Sequence, residues 1–153
     1  MKIFYPAALI LLLSFATPGF ADPAQDASSD VLEEMFTWWN GIMNTERELK
    51  AEDFARYYTD DAAIVVNGNE GVRGSAQMPE YFEEIRGRTE FIEIVMPFKE
   101  KFQSGNKIFT YHTIRSTRSG LDQESHNMGY AIIENGKIAY VTLARFSLDK
   151  PKP

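Results

Sequence analysis

From residue 91 to residue 148 the chain is an almost unbroken series of strand-forming runs, joined by turns too short to hold a helix. The runs cover 91–102, 108–117, 124–134 and 137–148, and they are linked by Ser104-Gly105-Asn106, Ser119-Gly120-Leu121-Asp122 and Asn135-Gly136. The last pair is the strongest hairpin signal, because both residues accept positive φ. Such connections leave only antiparallel pairing between neighbours. This part of the chain is committed to one meandering sheet, and whatever precedes it must cover a face of that sheet.

What precedes it reads as helical. Asp30 with Glu33 three residues on makes a capping box. Val31, Leu32, Met35, Phe36, Trp39, Ile42 and Met43 then recur at helical spacing. A second helix is expected over 51–59, with Phe54, Tyr57 and Tyr58 inward, and a third over 77–86, with Pro79 tolerated in its first turn. Between them lie a β-rich run at 62–66, a turn at Asn67-Gly68-Asn69 and a short extended piece at 71–74. Helices first and a meander afterwards predict an α+β domain.

Residues 1–21 stand apart. Lys2 gives a positive start, an apolar run follows, and Pro18, Gly19, Phe20 and Ala21 supply a breaker and small residues. That order predicts a signal peptide and an exported, periplasmic or secreted protein with no membrane attachment after cleavage. The run is shorter than the ~20 apolar residues of a membrane span. A flexible leader at 22–29, one domain at 30–149 and a tail at 150–153 complete the expected organisation.

Composition narrows the chemistry. The chain has 153 residues, no cysteine, two histidines and a net charge of −6. Disulfides and thiolate chemistry are excluded, and two histidines are too few for a three-histidine metal centre. No metal and no cofactor are expected. An acidic chain without a basic stripe is not expected to bind nucleic acid.

Three stretches resemble the nuclear transport factor 2-like (NTF2-like) superfamily, and its SnoaL-like branch in particular. They are Asp53-Phe54-Ala55-Arg56-Tyr57-Tyr58-Thr59-Asp60-Asp61-Ala62, then Gly71-Val72-Arg73-Gly74 followed by Met78 and Phe82, and finally Asn135-Gly136-Lys137-Ile138. The resemblance implies a cone: a strongly curved sheet, mixed or antiparallel, wraps three helices and leaves a pocket at its open end. It also implies a homodimer through the outer sheet face. It leaves activity open, since the fold hosts enzymes of several classes and non-enzymes. Asp60 and Asp61 sit where a helix passes into a strand, a place that favours aspartate for local backbone hydrogen bonds.

The turns also predict registers. A two-residue Asn135-Gly136 loop sets Tyr130 opposite Val141, Met128 opposite Leu143 and His126 opposite Arg145. A two-residue Gly105-Asn106 loop aligns Phe98 with Thr113 and Met96 with Arg115. A four-residue loop between Arg118 and Gln123 pairs Arg115 with His126. The bulkier face then carries Met96, Phe98, Phe102, Phe109, Tyr111, Met128, Tyr130, Ile132, Val141 and Leu143, and is expected to line the pocket. The opposite face carries His112 and Asn127 among its polar residues, together with Ile108, Ile114, Ile133, Ile138 and Phe146, an aliphatic surface suited to a second copy.

Arg115, His126 and Arg145 form one polar row on the expected inner face. Two guanidinium groups and an imidazole would favour an anionic ligand, most simply a carboxylate. The competing reading pairs the arginines with Glu33, Glu34 or Asp53 of the covering helices. The candidate ligand-binding set is Arg115, His126, Arg145, Tyr130, Tyr111, Met128 and Trp39. His126 is the candidate catalytic base, since flanking cations favour neutral imidazole.

The chemistries that the resemblance implies can be tested by position. Val66, Trp39 and Met128 stand where ketosteroid isomerases carry their aspartate base, tyrosine and neutral acid. The two histidines of dehydratase relatives are matched by His112 and His126 on opposite faces, and the first helix offers Asn40 and Asn44 but no inward aspartate. Cyclase relatives need a strand-borne acid, and the expected inner face offers only Glu100. The leading expectation is therefore an exported domain that binds a small, partly apolar, anionic molecule. A cofactor-free lyase or isomerase and a dimeric interaction module are the alternatives.

Overall fold

The computed structural model describes residues 23–147, so the expected signal segment and tail lie outside the described residues. The chain runs α1 (Pro23–Met43), α2 (Ala51–Ala55), β1 (Tyr58–Val66), β2 (Asn69–Arg73), a 3-10 turn (Ser75–Gln77), α3 (Met78–Gly87), β3 (Phe91–Ile94), β4 (Glu100–Ser104), β5 (Lys107–Arg118), β6 (Leu121–Glu134) and β7 (Lys137–Phe146). Helix α1 begins before Asp30, where the capping pattern places its start. The strands form one curved sheet in the order β2-β1-β7-β6-β5-β3, with β4 also on β5. Only the β1–β7 pairing is parallel; the others are antiparallel.

Two boundaries differ from expectation for local reasons. Helix α2 stops at Ala55, and Tyr58 already belongs to β1, buried with its hydroxyl 3.5 Å from Met35 Sδ. The run 91–102 is two strands, because Pro97 has no N–H for the ladder.

The helices pack on the concave side through the faces that their periodicity marks. Leu32, Met35, Phe36, Trp39 and Met43 of α1 meet Phe54, Met78 and Phe82, and beneath them lie Ile92, Ile94, Ile108, Ile114, Ile133, Ile138 and Val141. Asn40 of α1 and Asn44, the residue after its end, cap the outer edge of β3. The Asn40 amide donates to Ile94 O at 2.7 Å and accepts from Ile94 N at 2.8 Å. Asn44 does the same with Ile92, at 2.8 and 2.9 Å. Two side chains thus satisfy backbone groups that an edge strand would leave unpaired.

The concave face is the one that the turn-derived registers place outside. Two local events decide this. The β5–β6 turn is the two-residue Ser119-Gly120 loop, with φ of 51° and 71°, so Arg118 pairs with Leu121. In β7 the register shifts between Ile133↔Ile138 and Ile132↔Tyr140, leaving Ala139 as the extra residue of a bulge. Beyond the bulge Arg145 lies opposite Asn127, not His126. Ile108, Ile114, Ile133 and Ile138 are therefore buried under the helices. Phe102, Phe109, Tyr111, Met128 and Tyr130 are on the convex face. Phe98, Val141 and Leu143 remain inside as expected.

Curvature has a sequence basis on β6. A Cβ at Gly129 would lie 1.8 Å from the Thr142 carbonyl oxygen, so no other residue fits without moving a neighbouring strand. Glycine inside a strand commonly marks such a bend.

Candidate functional site

The concave sheet and the helices enclose a chamber of about 340 Å³. Its walls are apolar: Phe36 and Trp39 from α1, Phe82 and Ile85 from α3, and Ile92, Ile114, Val141 and Leu143 from the sheet. Polar groups enter at few points, namely Tyr58, Tyr81, Glu84, Arg88, His112, Arg118 and Arg145. This balance is what orients a small ligand by a few contacts.

Arg145 stands exposed at the rim. Its backbone N–H donates to Asn67 Oδ1 at 2.7 Å, and its Nε donates to Oδ1 of fully buried Asn127 at 3.1 Å. The Asn127 amide is oriented in turn by Ser125, whose carbonyl and Oγ accept at 3.3 and 3.4 Å. Half-buried Arg118 lies nearby, and its Nε is buried without a hydrogen-bond partner among the described residues. Partial desolvation lowers the pKa of Arg145, Tyr81 opposes the shift, and the charge of Arg118 adds to it. Two like charges held close at an apolar mouth set up a demand for an anion.

No carboxylate of the described helix residues meets that demand through an ion pair. Asp53 is held by Arg47 at 2.6 Å, Glu33 by Lys101, and Glu84 by Arg88. The reading that pairs Arg145 with Glu33, Glu34 or Asp53 has no ion pair behind it among the described residues.

His112, on β5, is buried at 1% exposure. Its Nδ1 lies 3.3 Å from Thr110 Oγ1, while its Nε2 has no hydrogen-bond partner among the described residues. Phe36 and Phe98 contact the ring at centroid distances of 5.4 and 5.7 Å. Desolvation, helped by the positive charge of Arg145, lowers its pKa to about 4, so the imidazole is neutral at pH 7.

Comparison with known proteins adds the fold. No family model matches the sequence. No curated protein matches it either. Solved structures do. A candidate SnoaL-like polyketide cyclase from Jannaschia sp. CCS1 superposes with a TM-score of 0.66 at 11% identity, over 80% of this chain and 88% of that one. An NTF2-like protein of unknown function from Exiguobacterium sp. 255-15 gives 0.61 at 18%, over 78% and 99%. An epoxide hydrolase of the LEH-like kind from M. tuberculosis gives 0.62 at 15%, over 81% and 86%. The chain has the NTF2-like fold of SnoaL-like proteins.

Within this NTF2-like cone, the residues singled out from sequence divide between two faces. Trp39 and Arg145 line the chamber. Arg115 is on the convex side, where it pairs with Glu124 at 3.5 Å. His126 is there too: its Nδ1 is 2.9 Å from the Tyr111 hydroxyl and 3.3 Å from Lys99 Nζ, and its ring stacks on Phe146 at 5.7 Å. Tyr111, Met128 and Tyr130 share that face. The expected row of Arg115, His126 and Arg145 is therefore not assembled. His112 and Arg118 supply the imidazole and the second guanidinium instead.

The signal for this exchange was present in β7. Ile138, Val141 and Leu143 are spaced three and then two apart, and an alternating strand holds that pattern only with one bulged residue. Of the positions compared with ketosteroid isomerases, Val66 and Trp39 line the chamber and Met128 does not. Glu84 is the one carboxylate among the chamber's lining residues.

Proposed function

We propose that this NTF2-like chain is an exported binding domain whose chamber takes a small, partly apolar molecule carrying one anionic group. The observation that carries the reading is the pair Arg118 and Arg145 at the rim of an apolar cavity, without a carboxylate partner among the described residues. An apolar body replaces water in the chamber, and the anion lies against the guanidinium groups. An open chamber favours this reading over a purely structural role.

Thermal melts with a panel of small apolar carboxylates test it. A ligand that binds only the folded state raises the melting temperature by linkage. Arg145→Met should abolish that rise and cost the ligand-free protein about 1–3 kcal/mol at most, from the buried Asn127 Oδ1 left without its donor, since there is no anion to strand. A wild type that no carboxylate shifts, with Arg145→Met strongly destabilised, would make the arginine structural.

A second reading rests on His112. A neutral imidazole with a free Nε2 in this chamber suits a base that removes a proton from carbon beside a carboxylate, with Arg118 and Arg145 holding the enolate-like charge. The chain is then a cofactor-free isomerase or lyase. Ligands that shift the melt should exchange that proton for deuterium in D2O, and His112→Phe should stop the exchange; a bound ligand that never exchanges leaves a binding domain only.

Export and self-association belong to the same proposal. N-terminal sequencing of exported protein should begin at Asp22. The convex face offers a second copy Phe102, Met128 and Phe146, exposed at 60%, 53% and 40%. Beside them Phe102, Phe109, Tyr130 and Tyr140 run as a chain of ring contacts at 4.7, 5.4 and 6.2 Å. The residues for such an interface are these, and not the buried isoleucines.

A further inference from the structure

The chamber does not end at the arginines. A second cavity of about 420 Å³ adjoins it, and Ile92, Ile114, Arg118 and Arg145 line both. The far side is lined by Ser116, Gln123, Glu124 and Ser125. Strand periodicity explains the change of character. Along β5 the concave residues are His112, Ile114, Ser116 and Arg118, and along β6 they are Ala131, Gly129, Asn127, Ser125 and Gln123. Both strands become polar toward the Ser119-Gly120 turn, and Arg118 and Arg145 line both cavities.

We propose, building on the anion-binding reading above, that the ligand continues past its anionic group: an apolar body in the chamber, one anion at Arg118 and Arg145, and a hydroxyl-bearing extension in the polar vestibule. The vestibule's side chains argue for the extension's chemistry. The serine hydroxyls and the Gln123 side-chain amide can each accept and donate hydrogen bonds, as a hydroxyl-bearing extension requires. The cations that line the vestibule are Arg118 and Arg145, at which the anion already lies, so the matching molecule carries one negative charge with uncharged polar groups beyond it. A simple fatty acid, which ends at its anion, would leave the vestibule to water.

Two phosphodiesters of equal charge separate the terms: octyl methyl phosphate, which ends at the anion, and octyl glyceryl phosphate, which adds two hydroxyls. Isothermal titration is done below their micellar concentrations. The glyceryl ester should bind the wild type about five-fold tighter or more, as one or two extra hydrogen bonds would give. Ser116→Val with Gln123→Leu should remove that preference and leave the methyl ester's affinity unchanged. Arg145→Met should weaken both esters alike. Equal wild-type affinities that still need Arg145 would overturn the extension and keep the anion site, as would a glyceryl preference that survives the double substitution. Binding of neither ester to the wild type would overturn the extension and the anion site together.

Discussion

His112 and His126 are both nearly buried, yet their surroundings differ in kind. His126 sits among a tyrosine, a lysine and a glutamate on the convex face, so its ring nitrogens have partners. His112 is walled by Phe36 and Phe98 and keeps one nitrogen free. Its lowered pKa makes stability depend on pH. The folded-state value of about 4 lies below the ordinary 6.5, so the unfolded chain binds the extra proton first. This contribution is complete above pH 6.5, declines as pH falls toward 4, and is flat below that, amounting to roughly 3 kcal/mol across the window. Urea melts between pH 7 and 4 should show the wild type losing more stability than His112→Asn, since other titrating groups are common to both. Parallel curves would mean that His112 is solvated in the folded state.

At the scale of elements, β6 and β7 set the shape of the cone. Gly129 provides the bend and Ala139 the bulge. Elsewhere in a strand, replacing glycine with alanine is expected to help, because glycine weakens strand interiors. Here Gly129→Ala should cost about 3 kcal/mol or more, as overpacking against a backbone carbonyl does. Denaturant unfolding checks the sign, and a variant as stable as the wild type would mean that β6 and β7 separate at little cost. The strand runs, the Asn135-Gly136 turn and the three helices were legible in sequence because each is specified by neighbours in the chain. The bulge was legible only given that Ile138, Val141 and Leu143 share a face, and that depends on how β7 fits β6 on one side and β1 on the other.

The whole molecule presents one face of its sheet to its own helices and chamber, and the other outward. The convex face exposes Phe102, Met128 and Phe146, apolar surface of the kind that a second copy would cover. Sedimentation should show a dimer at micromolar concentration, and Phe102→Lys with Met128→Lys should give monomers with stability within about 0.5 kcal/mol per site of the wild type. A monomeric wild type would rule the dimer out. Ile114→Lys is no test of assembly, because Ile114 is buried in the concave core and its substitution would report on folding.

The sequence by itself determined the α+β class, the order of elements and the presence of cations on strands that line a cavity, because hydrophobic period, turn residues and helix caps act over a few neighbours. Trp39 and Arg145 were legible as cavity residues, the first from its helical stripe and the second from its alternation with Val141 and Leu143. Only the tertiary structure decided whether His112 or His126, and Arg118 or Arg115, completes the site. Side chains on a strand alternate with a period of two, so a single bulged residue and a shorter turn exchange the faces while local propensities stay the same. The choice belongs to the packing of helix against sheet: the concave surface took the isoleucines and the small residues Gly129 and Ala131 beneath α1, and left the larger aromatics outside.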